Sequence, residues 1–264
     1  MDVRETIYGR NAVCECLRAR RRTVYKLFLA RGVKEMGLVA EIVALAHQAK
    51  VAVERVERAT LDRIGAVSHQ GVAAEVSAYP YTNLGEILTQ AGGPDESPFL
   101  LLLDCLEDPQ NLGTLLRTAE VVGVHGVVIP KRRAVGITPA VANVSAGATE
   151  HLRVMRVTNL ARAIGELKET GVWVVGLEDL PQARLYSQFD LSGPLALVVG
   201  SEGRGMRRLV LDSCDVVLRL PMRGHVGSLN AAVAGSIALY EAWRQRGGMT
   251  SEYLLVDGDN IINA

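Results

Sequence analysis

The sequence predicts an α/β protein: a small N-terminal α/β unit, a linker, and a larger C-terminal unit built on a mostly parallel sheet. Three observations lead there. Strand-like and helix-like patterns alternate along most of the chain, and several strands of the second half are apolar on both faces. A polar stretch punctuated by Gly and Pro separates the halves. With 264 residues and 48% hydrophobic content, the chain has material for a substantial core and two domains.

The N-terminal unit spans residues 1–80. Helical patterning in "GRNAVCECLRAR" is followed by the strand-like "VYKLFLA", a helix at "GLVAEIVALAHQAK", the strand "VAVERV", a short helix at "TLDRIG" and the strand "GVAAEVS". Residues 81–98 read as the linker: "TNLGEILTQAGGPDESPF" has little apolar content after Ile87 and Leu88, with a short helix at its start. In residues 99–248 the strands are "FLLLLD", "GVVIP", "HLRVMRV", "VWVVGLE", "LALVVG" and "VVLRLPM". Helices fall between them at "NLGTLLRTAEVVG", "VANVSAGA", "NLARAIGELKETG" and "RRLVLDSC". Residues 249–264 form a tail.

No apolar run is long enough to span a membrane and the N-terminus has no signal-peptide core, so a cytoplasmic protein is expected. Cys14, Cys16, Cys105 and Cys214 have neither CxxC spacing nor a nearby His cluster, which reads as reduced thiols and no metal site. Formal net charge is zero, arguing weakly against a nucleic-acid binder driven by bulk charge. The distribution is uneven, however. Seven basic residues and no acidic one lie between Arg18 and Lys34. Arg18, Arg20, Arg21, Arg22 and Lys26 are therefore candidate RNA contacts, with a solvated face as the equal alternative.

Three stretches carry candidate chemistry. In "DCLEDPQNLGTLLRTAEVVG", Asn111 stands where it could cap a helix and Arg117 lies nearly two turns further on; taken singly they read as a cap and a surface arginine. In "LALVVGSEGRGM", a buried strand runs into a loop whose glycines allow close backbone approach, although the GxxGxG spacing and late position do not match a dinucleotide fingerprint. In "LPMRGHVGSLNAAVAGSIALYEAW", a polar loop opens into a helix whose first turns are nearly all small, so something must approach its backbone closely.

Together, at these spacings and in this order, the three stretches closely resemble the motifs of the SpoU (TrmH) family of SPOUT methyltransferases. Asn111 and Arg117 match the first motif, Gly200, Glu202 and Gly205 the second, and Leu220, Pro221, Ser228, Leu229 and Asn230 the third. "IYGRNAV" and "HQGVAAEV" resemble the ribosomal-protein L30e-like RNA-binding domain of the RlmB-type branch, which methylates a guanosine 2′-hydroxyl in 23S rRNA. The resemblance implies a deep trefoil knot at the C-terminal end of the sheet, a rare exception to unknotted chains. The small residues Ala231, Ala232 and Gly235 would then let a threaded backbone pass. A helix packed closely on a sheet or a dimer partner predicts the same residues.

The resemblance further implies S-adenosylmethionine as methyl donor, with Gly200, Gly205, Leu220, Met222 and Leu229 around it, and a homodimer joined through the knotted region. RNA, not DNA, is the implied partner. Transfer to a ribose 2′-hydroxyl demands positioning and stabilisation of a developing alkoxide. Arg117 is the expected stabiliser, because a guanidinium is too basic for an easy general base and its planar fork suits an alkoxide beside a phosphate. Asn111 would orient the arginine or the ribose, Glu202 would anchor the loop or a neighbouring arginine, and Ser228 and Asn230 would cap the last helix.

A tRNA or antibiotic-site rRNA ribose is an alternative target, and a non-catalytic ribosome-assembly protein or a dinucleotide-dependent oxidoreductase an alternative class. Intact motif residues weigh against the first class, the glycine spacing against the second. The tail's "YLLVDGDNIINA" resembles the opening strand of NYN/PIN-like nucleases at Asp257, with Asp259 where that family often has Tyr. A truncated fusion with, or read-through into, a nuclease and a disordered or strand-adding tail stand as equal readings, and no nuclease activity is expected.

Overall fold

The computed structural model describes residues 3–63, 68–91 and 97–248; the tail resemblance lies outside them. The N-terminal unit comprises β1 (Arg4–Tyr8), α1 (Arg10–Ala19), β2 (Val24–Ala30), α2 (Leu38–Gln48), β3 (Ala52–Val56), α3 (Arg58–Asp62) and β4 (Val72–Ser77). Its sheet runs β1-β4-β2-β3, with β4 antiparallel to both neighbours and β2 parallel to β3. Strand β1 escaped the sequence reading because RETIY is short and has one buried residue, Ile7. It forms because every residue from Arg4 to Tyr8 pairs with β4. Helices α1 and α2 supply Val13, Leu17, Val39 and Ile42 to the core over Leu27, Leu29 and Val76.

After α4 (Leu84–Ala91), the C-terminal unit contains β5 (Phe99–Asp104), α5 (Pro109–Val121), β6 (Gly126–Pro130), α6 (Pro139–Val144), β7 (Val154–Val157), α7 (Leu160–Glu169), β8 (Trp173–Leu177), β9 (Arg184–Leu185), β10 (Leu195–Gly200), α8 (Arg208–Leu211), β11 (Val216–Arg219) and α9 (Ala231–Trp243). Seven strands in the order β7-β6-β5-β10-β8-β11-β9 pair in parallel throughout. Alternate residues face opposite helical layers. Phe99, Leu101 and Leu103 pack with Leu112, Leu115 and Leu116 of α5 and Leu239 of α9. Leu100 and Leu102 pack with Ile87 of α4 and Leu160, Ile164 and Leu167 of α7. The doubly apolar strands follow from this sandwiching.

The linker boundary moves. Thr82 bridges to Met155 of β7, and α4 buries Ile87 completely against Gly126, so residues 82–91 belong to the larger unit. Their pattern reads as a linker because two buried positions are enough to seat so short a helix.

The units meet along a polar seam. Arg22, only 5% exposed, lies 2.5 Å from Glu5 and 3.4 Å from Glu150 and donates to the Ser77 carbonyl. Arg21 donates to the Glu150 and Leu152 carbonyls. Tyr79 donates to the Leu152 carbonyl at 2.6 Å, and Asn143 to that of Tyr8 at 3.0 Å. Burial pushes the Glu150 carboxyl above its ordinary range, and Arg22 opposes the shift. Arg22 is thereby removed from the RNA-contact candidates: its guanidinium is buried and shared between two carboxylates and a carbonyl. Arg21 is likewise committed to carbonyls across the seam.

Candidate active site

In the C-terminal sheet, β5, β6 and β7 progress towards one edge, and β8 restarts on the other side of β5 and β10. Such a reversal in a parallel sheet opens a crevice beyond the carboxyl ends of the strands. Here the loops following β8, β10 and β11 enclose a cavity of about 620 Å³, within the usual range for a small-molecule ligand. Its walls include Gly200, Gly205, Leu220, Met222 and Leu229, together with Glu202, Ser228 and Asn230.

The glycines at the bend after β10 are sterically dictated. Ser201 and Gly205 exchange backbone hydrogen bonds of 3.1 and 3.0 Å, folding the chain back over Gly200. A Cβ on Gly200 would sit 2.3 Å from the Gly205 carbonyl carbon. Gly205 has φ +64°, and its Cβ would fall 2.2 Å from a Glu178 carboxylate oxygen. The bend is clamped as it leaves: Met206 N–H donates to Glu178 at 2.9 Å, and Arg207 N–H donates to Asp104 at 2.7 Å. The Arg207 guanidinium also pairs with Asp104 at 2.6 Å, balancing a fully buried carboxylate. That bond raises the arginine's already high pKa. Asp104 and Glu178 were missed as members of the site. Their signal in the sequence is an acidic residue directly following an apolar strand.

Asn111, Glu202 and Asn230, one from each stretch, meet in a hydrogen-bonded cluster. Asn230 Nδ2 donates to Asn111 Oδ1 at 2.9 Å and to Glu202 Oε1 at 3.0 Å, and Asn111 Nδ2 donates to Glu202 Oε1 and to Asp108 Oδ2. Asn230 also caps α9, its Oδ1 accepting from Ala232 N–H at 2.9 Å and Val233 N–H at 3.2 Å. Asn111 is not a cap. Helix α5 starts earlier, with Pro109 in its first turn and Asp108 accepting from Gln110 N–H at 3.0 Å, so Asn111 is free to face the cluster. Glu202 anchors amides, not an arginine. Ser228 lies on the cavity wall ahead of the helix start, and the cap is Asn230.

Arg117 does not reach this cavity within one chain. Six residues beyond Asn111, it is displaced by about 9 Å along α5 and turned to another side of the helix. It is exposed and does not line the cavity. The next residue, Thr118, bonds Ser236 of α9 at 2.9 Å, and Val121 is 58% exposed one turn on. Across α9, Val233, Ile237 and Tyr240 form an exposed apolar stripe at helical spacing. The small residues of α9 have a direct cause at Gly235: a Cβ there would press on Leu115 at 2.8 Å and Val199 at 3.2 Å.

The remaining RNA-contact candidates are dispersed. Arg18 pairs with Glu15 and Glu41, both at 2.5 Å, and Lys26 with Glu54 at 2.9 Å. Arg20 ends α1 in the left-handed region, φ 53°, and is exposed. Among the described residues no group of three or more His, Cys, Asp or Glu is placed to hold a metal, and no helix is long and apolar enough to cross a membrane. Burial pushes the Cys214 thiol up to about 12 and that of Cys14 to about 11.

A ligand-sized cavity at the reversal point of a parallel α/β sheet, walled by glycine bends and an amide–carboxylate cluster, is where α/β proteins bind small molecules. The particular family follows from comparison. The model of the SpoU rRNA Methylase family matches residues 98–240, and that for RNA 2′-O ribose methyltransferase substrate binding matches residues 6–82. The chain belongs to the SpoU (TrmH) family of RNA 2′-O-ribose methyltransferases, whose methyl donor is S-adenosylmethionine. It is 48% identical over 240 residues to YacO of Bacillus subtilis, named for the TrmH family of tRNA/rRNA methyltransferases, covering 91% of this chain and 95% of that one. Among solved structures, an RNA 2′-O ribose methyltransferase superposes with a TM-score of 0.76 at 28% identity, covering 92% of this chain and 89% of the other. The fold is shared with the SpoU methyltransferase AviRb of Streptomyces viridochromogenes, solved with S-adenosylmethionine, at a TM-score of 0.75 and 22% identity over 93% of this chain and 92% of that one.

Proposed function

We propose that the protein methylates a ribose 2′-hydroxyl of a guanosine in 23S rRNA, acting in the cytoplasm as a homodimer whose chain is knotted around the cofactor cavity. The observation that carries the assignment of the site is the Asn111–Glu202–Asn230 cluster, which lies where the large cavity meets a second one between β5 and β10.

The large cavity fits the cofactor. Its glycine bend leaves backbone groups accessible where side chains have no room, and Leu220, Met222 and Leu229 offer apolar walls to an adenine. When bound there, S-adenosylmethionine supplies an electrophilic methyl group on a sulfonium. The chain's own residues orient the acceptor. Glu202 Oε1 is held by two amide donors, while its Oε2 accepts no hydrogen bond among the described residues and is available to a ribose hydroxyl. Asn111 and Asn230 fix the carboxylate through bonds that leave neither amide free to rotate.

In this reading Arg117 stabilises the developing alkoxide from across the dimer, in the cavity of the partner subunit, which its distance from the cavity of its own chain supports. The exposed stripe of Val233, Ile237 and Tyr240 supports a dimer that buries this face. Arg117→Ala should lower kcat by about 10²–10³-fold with cofactor affinity nearly unchanged, the range for losing a transition-state donor. An equal loss of cofactor binding in calorimetric titration would contradict the role. Mixing inactive Arg117→Ala with inactive Asn230→Asp should restore part of the activity through mixed dimers, and no recovery would place both residues in one subunit's site. Mapping 2′-O-methyl positions in RNA from cells with and without the gene identifies the nucleotide, and a lost tRNA modification would replace the rRNA assignment.

A further inference from the structure

Beside the cofactor cavity, and sharing its Ser201–Gly205 wall, lies a second cavity of about 430 Å³ between the loop after β5, Arg133 and the bend after β10. We propose that this cavity holds the RNA strand, with the guanidinium groups of Arg133 and Arg204 gripping the phosphodiester next to the ribose being methylated. The proposal rests on the methyltransferase reading and adds two substrate-binding residues to it.

Of three arginines on the wall, Arg207 is committed to Asp104 at 2.6 Å. Arg133 and Arg204 are both exposed, and neither makes a hydrogen bond or ion pair among the described residues. The acidic lining is largely engaged. Asp108 accepts from Gln110 N–H and from Asn111, Glu202 accepts from Asn111 and Asn230, and Glu107 stands exposed at the edge. Free cation forks facing engaged carboxylates suit a phosphodiester, which a guanidinium binds through two parallel hydrogen bonds.

The backbone supplies an independent argument. Cys105 and Arg133 have φ of 62° and 57°, in the left-handed region where residues of their kind rarely rest, and both line this one cavity. Val135 N–H donates to the Leu106 carbonyl at 2.9 Å, tying the two strained loops together and holding Arg133 beside Cys105. Lys131 and Arg132, also exposed, precede Arg133 on the same turn and extend the positive edge away from the cavity. The shared wall then sets the geometry: a nucleotide whose phosphate sits on Arg133 and Arg204 presents its ribose at Glu202, on the border with the cofactor cavity.

The test measures three quantities on the full-length protein: KM for RNA with its salt dependence, direct RNA retention without cofactor, and Kd for S-adenosylmethionine by calorimetry. Arg133→Ala and Arg204→Ala should each raise KM for RNA by roughly tenfold, the scale of a lost charged hydrogen bond. Each should flatten the logarithmic salt slope by about 0.7–0.9 per phosphate contact removed, with Kd for the cofactor within about twofold of wild type. Arg133→Gly, which suits the local φ, should lose RNA binding as the alanine variant does, separating side-chain loss from backbone strain. Arg133→Lys should recover part of the loss. Arg208→Ala, an exposed residue outside both cavities, serves as the control expected to match wild type. Weakened cofactor binding with unchanged KM for RNA would overturn the proposal by giving these arginines to the cofactor's carboxylate, and unchanged values in all three assays would make them solvated surface. A wild-type protein that retains RNA but transfers no methyl group would sink the methyltransferase reading, while the retention assay on the variants still decides the arginines.

Discussion

Seven cations crowd between Arg18 and Lys34, while Lys131, Arg132, Arg133 and Arg204 stand on two turns seventy residues apart. In the first region, Arg22 is buried between Glu5 and Glu150, Arg21 is held by carbonyls of the other unit, and Arg18 and Lys26 pair with Glu41 and Glu54. In the second, Arg133 and Arg204 border a cavity without partners among the described residues. Apart from Glu15, three residues from Arg18, the acids that neutralise the first group lie well away in sequence, up to 128 residues for Arg22 and Glu150. Charge density along a chain therefore says little about which charges face solvent and which hold the fold. Here the dense run builds much of the seam between the units, and the sparse cations surround the chemistry.

The strongest way to break this contrast is Arg22→Ala. Removing one member of a buried ion-paired group leaves Glu150 and Glu5 uncompensated, at a cost of about 3–5 kcal/mol. Urea denaturation should show that loss, and a change under 1 kcal/mol would mean that the buried group contributes little to holding the seam. The loss should shrink on acidification. Burial already holds the Glu150 carboxyl above its ordinary range, and deleting Arg22 removes the main cation that opposes the shift. The folded variant then binds its proton more tightly than the unfolded chain does. Its stability relative to wild type recovers as pH falls through the folded pKa and levels off below the unfolded value of about 4.3.

Architecture was legible because it is written in periodicity. The doubly apolar β5 and β10 announced a covered parallel sheet, and the amphipathic "NLARAIGELKETG" announced α7. Strand β1 and the seating of α4 were not, since each depends on partners distant in sequence: β4 for the first, Gly126 and β7 for the second. At the site, Asn111, Glu202 and Asn230 were visible through motif resemblance, but their mutual bonds span 28 to 119 residues and emerge only on folding. Asp104 and Glu178 stayed hidden because a single acid after a strand has many structural uses, and only the folded bend shows both clamping one backbone.

Asn230 carries the next largest effect and sharpens the contrast, because one side chain caps a helix and orients the site. Asn230→Ala removes the cap on α9 and should cost about 1 kcal/mol. Asn230→Asp keeps an oxygen for the Ala232 and Val233 N–H groups but replaces the amide that donates to Asn111 and Glu202 with a carboxylate facing Glu202. Aspartate should therefore hold the melting temperature near wild type while activity falls as far as with alanine. Parallel losses of stability and activity in both variants would reduce the residue to a cap.

The smallest effect is expected at Arg18, where geometry and energetics diverge. Two carboxylates lie within 2.5 Å and the bond to Glu41 strongly raises the guanidinium pKa, which would suggest a strong anchor. Its side chain is nevertheless 42% exposed and that of Glu41 43%, so water and salt screen the attraction, and holding long side chains costs entropy. Arg18→Ala should change stability by at most about 0.5–1 kcal/mol, less at high salt. Arg20, its neighbour without a side-chain ion pair among the described residues, is the counterpart for RNA binding. If paired cations are withheld from RNA, Arg20→Ala should flatten the salt slope of RNA binding and Arg18→Ala should leave it near wild type. Equal flattening by both would mean that exposed pairs open to phosphate at little cost, and the division would then run between buried and exposed cations, with pairing irrelevant.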